Sequence, residues 1–360
     1  MKDGMVEGAT APERSGDQGA AAGTRTVNLA LQGGGAHGAF TWGVLDRLLE
    51  DGRLDFEGIS GTSAGAMNGA MLAYGLLTGG REEARGQLYR LWRRLAKANA
   101  VGPWNPSWMS RFTGDPHLEA HPVYAGFDLL VRMMSPYQFN PLGLNPMREI
   151  LRGLIDFDVL REAADVRLYV GATNVRESKL KVFKGRELSA DCLVASACLP
   201  FLFQAVEIDG EHYWDGGYMG NPTIYPLIHE CAARDVLIVQ VTPIARPAVP
   251  TTPTAIIDRM NEIGFNGTFL RELRSLELVN RLLAAGRLTE EEAGMRALFL
   301  HRIEAEAAMA VLGVSSKLNA DWGFLTELRD LGRAAASRWL EERFASVGRA
   351  SSFEVERFFA

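Results

Sequence analysis

A serine stands between two glycines in Gly61-Thr62-Ser63-Ala64-Gly65. The segment before it, Leu54 to Ser60, has strand character, and Ala66 to Tyr74 after it is small, apolar and helix-compatible. A strand, a serine in a sharp turn and a helix together make a nucleophile elbow. The glycines suit a turn too tight for neighbouring Cβ atoms, and the serine backbone is expected to be strained. Its hydroxyl then stands at a helix N-terminus, where the dipole and free N–H groups favour a negative oxygen.

A second turn precedes it. The β segment Thr26 to Gln32 runs into Gly33-Gly34-Gly35-Ala36-His37-Gly38, and Phe40, Val44, Leu45, Leu48 and Leu49 follow at helical spacing. Gly33, Gly35 and Gly38 fit the GxGxxG signature of a dinucleotide fold, which also asks for a carboxylate at the end of the next strand. Asp55 and Glu57 lie at the start or middle of that strand, and the serine turn occupies its end. The glycine turn therefore suits an oxyanion hole better, with backbone N–H groups unobstructed by side chains beside the serine. Parallel pairing of the two strands brings both turns to one sheet edge.

A serine hydroxyl needs a base. Of the six histidines, His37 lies in the glycine turn, His117 and His121 in an irregular stretch, His212 in a hairpin, His229 on a helix and His301 near the C-terminal end. None has the setting of a triad histidine. Asp215 follows a strand segment and precedes Gly216-Gly217, so a tight turn presents its carboxylate with little obstruction. Burial at a sheet edge raises a carboxylate pKa toward a useful base. Taken alone, Asp-Gly-Gly is only a hairpin turn.

In this order, Gly33 to Gly38, Gly61 to Gly65 and Asp215 to Gly217 resemble the patatin-like phospholipase family. So do Ala195-Ser196-Ala197-Cys198-Leu199-Pro200, Val206 to Gly210 and Asn221-Pro222, and the likeness spans roughly residues 26 to 242. The resemblance implies a three-layer α/β/α sandwich with a mostly parallel central sheet and a Ser-Asp dyad without histidine. By carry-over, Ser63 is the nucleophile and Asp215 the general base. The backbone around Gly33, Gly34, Gly35 and Ala36 forms the oxyanion hole, with Gly38, Gly61, Gly65, Gly216 and Gly217 as supporting motif positions. It implies hydrolysis of phospholipid, lysophospholipid or neutral-lipid esters through an acyl-serine, with no cofactor and no metal. Many members carry Arg or Lys where this chain has His37, which opens the question of whether that residue supports the oxyanion. An acyltransferase or thioesterase uses the same residues with another acceptor, and a non-catalytic lipid-binding regulator keeps the same fold.

The bulk composition agrees with such an enzyme. A net charge of −6 over 360 residues argues against nucleic acid, which wants a basic face. The three cysteines, Cys192, Cys198 and Cys231, lie in apolar stretches and fit a reduced, cytoplasmic chain, with peripheral membrane contact compatible with a lipid substrate. No CxxC or HExxH spacing suggests a metal. Residues 1–25 lack the apolar core of a signal peptide and are expected to be a disordered tail. No stretch reaches the roughly 18 to 20 apolar residues of a membrane span.

The expected organisation is a hydrolase domain over 26–243 and a helical C-terminal region over 255–360. Strands alternating with helices predict the parallel sheet with helices on both faces. Within the domain, 100–147 forms an irregular, lid-like insertion; Pro103, Pro106, Pro116, Pro122, Pro136, Pro141 and Pro146 argue against long elements there. Gly80 to Asn99 reads as a surface helix with Leu88, Leu91, Trp92 and Leu95 inward. Its Arg90, Arg93, Arg94 and Lys97 are either a solvated face or a contact for lipid headgroups. Oligomeric state is not legible.

Overall fold

The computed structural model describes residues 23–101, 133–246 and 248–359. The expected tail up to residue 22 and most of the expected lid, 102–132, lie outside the described residues.

The chain begins with strand β1 (Arg25–Leu31), the glycine turn, and helix α1 (Gly38–Asp51). Strand β2 (Leu54–Thr62) and helix α2 (Ala64–Val101) follow, the helix kinking at Gly80. Next come β3 (Arg167–Asn174), β4 (Lys179–Lys184), helix α3 (Ala190–Ser196), β5 (Val206–Ile208), β6 (Glu211–Asp215) and β7 (Asp235–Val239). The C-terminal part holds the long helix α4 (Pro253–Ala284), strand β8 (Phe299–Ile303) and helix α5 (Trp322–Glu342).

These strands form one sheet in the order β5-β6-β3-β2-β1-β7-β8, with β4 also paired to β3. Pairing is parallel from β3 through β8 and antiparallel for β4, β5 and β6. The inner strands β1 and β7 are buried almost throughout, as parallel strands covered on both faces must be. The result is the expected mixed, mostly parallel sheet flanked by helices.

The region beyond 255 is mostly helical, yet it also supplies β8, which pairs in parallel with β7 from Asp235↔Phe299 to Val239↔Ile303. Its sequence, Phe-Leu-His-Arg-Ile, places two polar residues inside a short apolar run. The fully buried His301 is accommodated by Asp235 Oδ1 at 2.8 Å from Nε2 and Ser352 Oγ at 2.8 Å from Nδ1. The Gly348 N–H also donates to Asp235, and Ser352 N–H donates to the Leu300 carbonyl. His301 thus does have the neighbours of a triad histidine, but the chain of bonds fastens the C-terminal segment along β8.

The basic face of α2 is largely committed within the molecule. Arg90 pairs with Glu83, Arg93 stacks over the Trp322 ring, and Arg94 donates to the Gly153 carbonyl. Leu88, Leu91 and Trp92 are buried as the spacing predicts. Cys192, Cys198 and Cys231 are free and buried.

Candidate active site

The site grows from two adjacent strand ends. β1 and β2 run parallel side by side, so the turns at their C-terminal ends meet at one sheet edge. Ser63 lies between Thr62, the last residue of β2, and Ala64, the first of α2, at φ 54°. A non-glycine residue in this left-handed region costs on the order of 1–3 kcal/mol and must be held by its surroundings. Its N–H donates to Ser196 Oγ at 2.9 Å, and the Ser196 hydroxyl donates to the Gly171 carbonyl at 2.6 Å. The strained backbone is therefore tied through α3 to β3.

The glycine turn presses against this elbow. A Cβ on Gly33 would come within 2.7 Å of both Ser63 Cβ and the Thr62 carbonyl oxygen, so only glycine fits there. The Gly33 N–H is already donated to Asn221 Oδ1 at 2.7 Å. Of the four expected oxyanion-hole positions, Gly33 thus serves close approach instead. The N–H groups of Gly34, Gly35 and Ala36 make no hydrogen bond to another described residue. Gly35 takes φ 59°, and its Cα faces the Lys317 carbonyl. Gly38 opens α1, Gly61 is the last residue but one of β2, and Gly65 lies in the first turn of α2.

Asp215 ends β6, opposite Ala172 of β3, which carries it to the same edge of the sheet. Its N–H donates to the Cys198 carbonyl and its own carbonyl accepts from Thr173 Oγ1, both at 2.8 Å. The turn Gly216–Tyr218 follows, and the Gly217 N–H donates to Asp215 Oδ1 at 2.7 Å. The Ser63 side chain stands near enough to the carboxylate to favour its ionised form. The carboxylate is almost wholly buried, and burial pushes its pKa up to about 6, against the opposing pull of the Gly217 N–H and the Ser63 hydroxyl. A carboxylate so placed is ionised at neutral pH yet basic enough to accept a proton.

His37 lies buried behind the glycine turn and bonds neither Ser63 nor Asp215. It is fully buried, with Nε2 at 2.7 Å from Ser316 Oγ. The Ser316 hydroxyl donates to the Gly313 carbonyl at 2.5 Å, which leaves its oxygen to accept from His37 Nε2–H. Nδ1 then faces the interior as an acceptor with no partner among the described residues. Burial, and then the positive charges of Lys317 and Arg246, push the His37 pKa well below its ordinary value, so the ring stays neutral.

Those charges belong to a cluster around Glu262, which is 2 % exposed. Arg246 grips the carboxylate with two bonds of 2.6 and 3.1 Å, Arg259 reaches it at 3.2 Å, and Lys317 Nζ lies 3.5 Å away. Burial alone would raise the Glu262 pKa; the Arg246 bonds and the nearby cations hold it below the usual range.

A cavity of about 740 Å³ is lined among the described residues by Met134, Pro136, Phe201, Tyr218, Met219 and Trp214, which precedes Asp215 in β6, with Asn261 of α4 also on its wall; Ser63 and Asp215 themselves are not in its lining. Its size falls within the roughly 300–1,000 Å³ common for ligand sites, and its lining is mainly apolar. The contributions of Ser196, Asn221, Ser316 and α4 are not readable as roles in the sequence. Ser196 and Asn221 do lie inside the motif segments, which is the one signal that could have marked them.

The family model for patatin-like phospholipases matches residues 29–228, more than half of the chain, and the chain belongs to that family. Its members are lipid acyl hydrolases. Among solved structures, VipD from Legionella pneumophila is similar at 16 % identity and a TM-score of 0.37, over 89 % of this chain and 67 % of that one. Among curated proteins no match is found. No helix among the described residues is long and apolar enough to cross a membrane.

Proposed function

We propose that this protein is a serine lipid acyl hydrolase of the phospholipase A or lysophospholipase type, working through Ser63 and Asp215. The observation that carries this reading is the placing of the left-handed Ser63 elbow and the buried Asp215 carboxylate at one sheet edge, beside a glycine turn whose Gly34, Gly35 and Ala36 N–H groups have no partner among the described residues. Among the described residues no histidine stands between them.

Asp215 accepts the Ser63 proton as the oxygen attacks the ester carbonyl. The negative oxygen that develops is met by the N–H groups of Gly34, Gly35 and Ala36, fixed in place before the reaction, which is the main source of rate in acyl transfer. Collapse expels the alcohol, which takes the proton from Asp215. Water then enters and gives a proton to Asp215 as its oxygen attacks the acyl-serine; the fatty acid leaves, and Asp215 returns that proton to Ser63 Oγ. Gly33 sets the distance between the two turns, and Ser196 holds the elbow's strained backbone. The apolar cavity lined by Trp214 and Tyr218, on either side of Asp215 in sequence, suits an acyl chain.

Labelling with a fluorophosphonate tests the nucleophile. Label is expected on Ser63, and is lost in Ser63→Ala. A panel of phospholipids, lysophospholipids and neutral esters then identifies the substrate, with added alcohol or thiol to detect transfer in place of hydrolysis. Normal turnover of a p-nitrophenyl acyl ester by Ser63→Ala sinks the assignment.

A further inference from the structure

Helix α4 turns an apolar stripe toward water. Ile256, Met260 and Ile263 recur at spacings of four and three, so they share one face, and Met260 is 66 % and Ile263 57 % exposed. The other side of the same turns sends Glu262 and Asn266 inward. A helix on a water-facing surface normally does the reverse. Scattered exposed apolar residues are ordinary, but three on successive turns of one helix face make a patch.

The stripe is continuous with the site. Asn261, between Met260 and Glu262, lines the cavity, and Phe265 packs edge-on against Tyr218 with ring centroids 5.0 Å apart. Met133, Phe201 and Met219 line the same cavity and are themselves exposed, Met133 at 75 %. Exposed apolar side chains thus line the cavity and continue onto α4 beside Asn261.

We propose that this rim seats the protein on a lipid bilayer, with the cavity mouth turned toward the lipid. The proposal rests on the acyl-hydrolase reading and adds the surface that delivers the substrate. The ester of a membrane lipid lies at the boundary between headgroups and chains. Side chains of an interfacial helix reach about 5–10 Å into that layer. A rim inserted to this depth presents the ester to the cavity without drawing the whole lipid through water. The chemistry is apolar insertion: a net charge of −6 gives little general attraction to anionic headgroups, and the arginines of α2 are largely engaged within the molecule.

The Ser63→Ala protein, which keeps the surface, is mixed with phosphatidylcholine vesicles and sedimented. The double substitution Met260→Asp with Ile263→Asp is made in that background, and also with Ser63 intact for assay on a water-soluble short-chain ester. Ser63→Ala is expected to sediment with vesicles at low and high salt alike. The double variant is expected to bind at least ~10-fold more weakly, while its turnover of the soluble ester stays within about twofold of the parent. Equal vesicle binding by the double variant, or none by Ser63→Ala, overturns the proposal. So does a parallel loss of soluble-ester turnover, which assigns the stripe to the fold. A dimer that the double substitution converts to a monomer, with no vesicle binding by either, assigns the face to a second copy and also overturns it. If the parent hydrolyses no ester but the difference in vesicle binding holds, the docking surface stands and the acyl-hydrolase reading falls.

Discussion

Ser196 Oγ accepts the N–H of Ser63 at 2.9 Å and donates its own hydroxyl to the Gly171 carbonyl at 2.6 Å. One hydroxyl thus joins the strained elbow to the neighbouring strand. Ser196→Ala removes both bonds and leaves the Ser63 N–H without its acceptor, at a cost of about 1–3 kcal/mol. The elbow also loses its support, and misplacement of a nucleophile costs rate even when its chemistry is intact. Turnover of a soluble ester is expected to fall about 10- to 100-fold with KM little changed. A fall in KM and thermal stability with unchanged kcat contradicts this role.

Asp215 sets the acid limb of activity. Burial raises its pKa to about 6, so kcat/KM should fall tenfold per pH unit below that value and level off above it. Stability runs the other way. A carboxylate with a folded pKa above its ordinary 3.8 favours the fold only while protonated, so stability is full below about pH 4 and lost as pH rises through about 6. Asp215→Asn should therefore lose ~1,000-fold or more in turnover and yet gain up to about 3 kcal/mol of stability at pH 8. Thermal melts at pH 8 and pH 4 measure the difference, which should shrink at the lower pH. An unchanged melting temperature at pH 8, or an acid limb well below pH 5, removes Asp215 from the role of base.

The two turns at the ends of β1 and β2 are legible because sharp turns demand glycine, and glycine is visible in any sequence. Asp215 is legible for the same reason, through Gly216 and Gly217. β8 is not: His301 and Arg302 interrupt a five-residue strand, and the histidine is tolerated only because Asp235 and Ser352, far away in sequence, satisfy its ring. The share of α4 in the site is equally hidden. The contact of Phe265 with Tyr218, and of Glu262 with Arg246 and Lys317, follow from tertiary packing that no local spacing announces. The pattern of basic residues on α2 allows either a solvated face or a lipid contact, whereas Arg90, Arg93 and Arg94 find partners within the molecule that no local spacing announces.

Gly33 tests whether the two turns must touch. Alanine there places a methyl group 2.7 Å from Ser63 Cβ and from the Thr62 carbonyl, and neither belongs to a flexible side chain. The turns must move apart, which overpacking prices at about 1–3 kcal/mol. Gly33→Ala is expected to stay folded and lose ~100-fold or more in turnover, because the N–H donors retreat from the carbon attacked by Ser63. Fluorophosphonate labelling should slow in parallel, since that reagent develops charge on the same oxygen. Labelling at the parental rate shows that the glycine turn does not serve the oxyanion.

His37 decides whether the pH profile belongs to one group or two. Lys317 and Arg246 face it from the C-terminal side, Ser316 accepts from Nε2, and burial keeps the ring neutral. A neutral, buried imidazole contributes no inflection near pH 6 to 7, even though an ordinary histidine titrates there. His37→Gln retains an N–H that can reach Ser316 while removing the titratable ring. The acid limb of kcat/KM on a soluble ester is expected to stay within ~0.5 pH unit of the parent, near the value set by Asp215. The buried acceptor Nδ1, which has no partner among the described residues, also disappears, so the substitution should be well tolerated. A limb that moves by a full unit, or a second inflection lost on substitution, places the histidine in the proton inventory of the reaction.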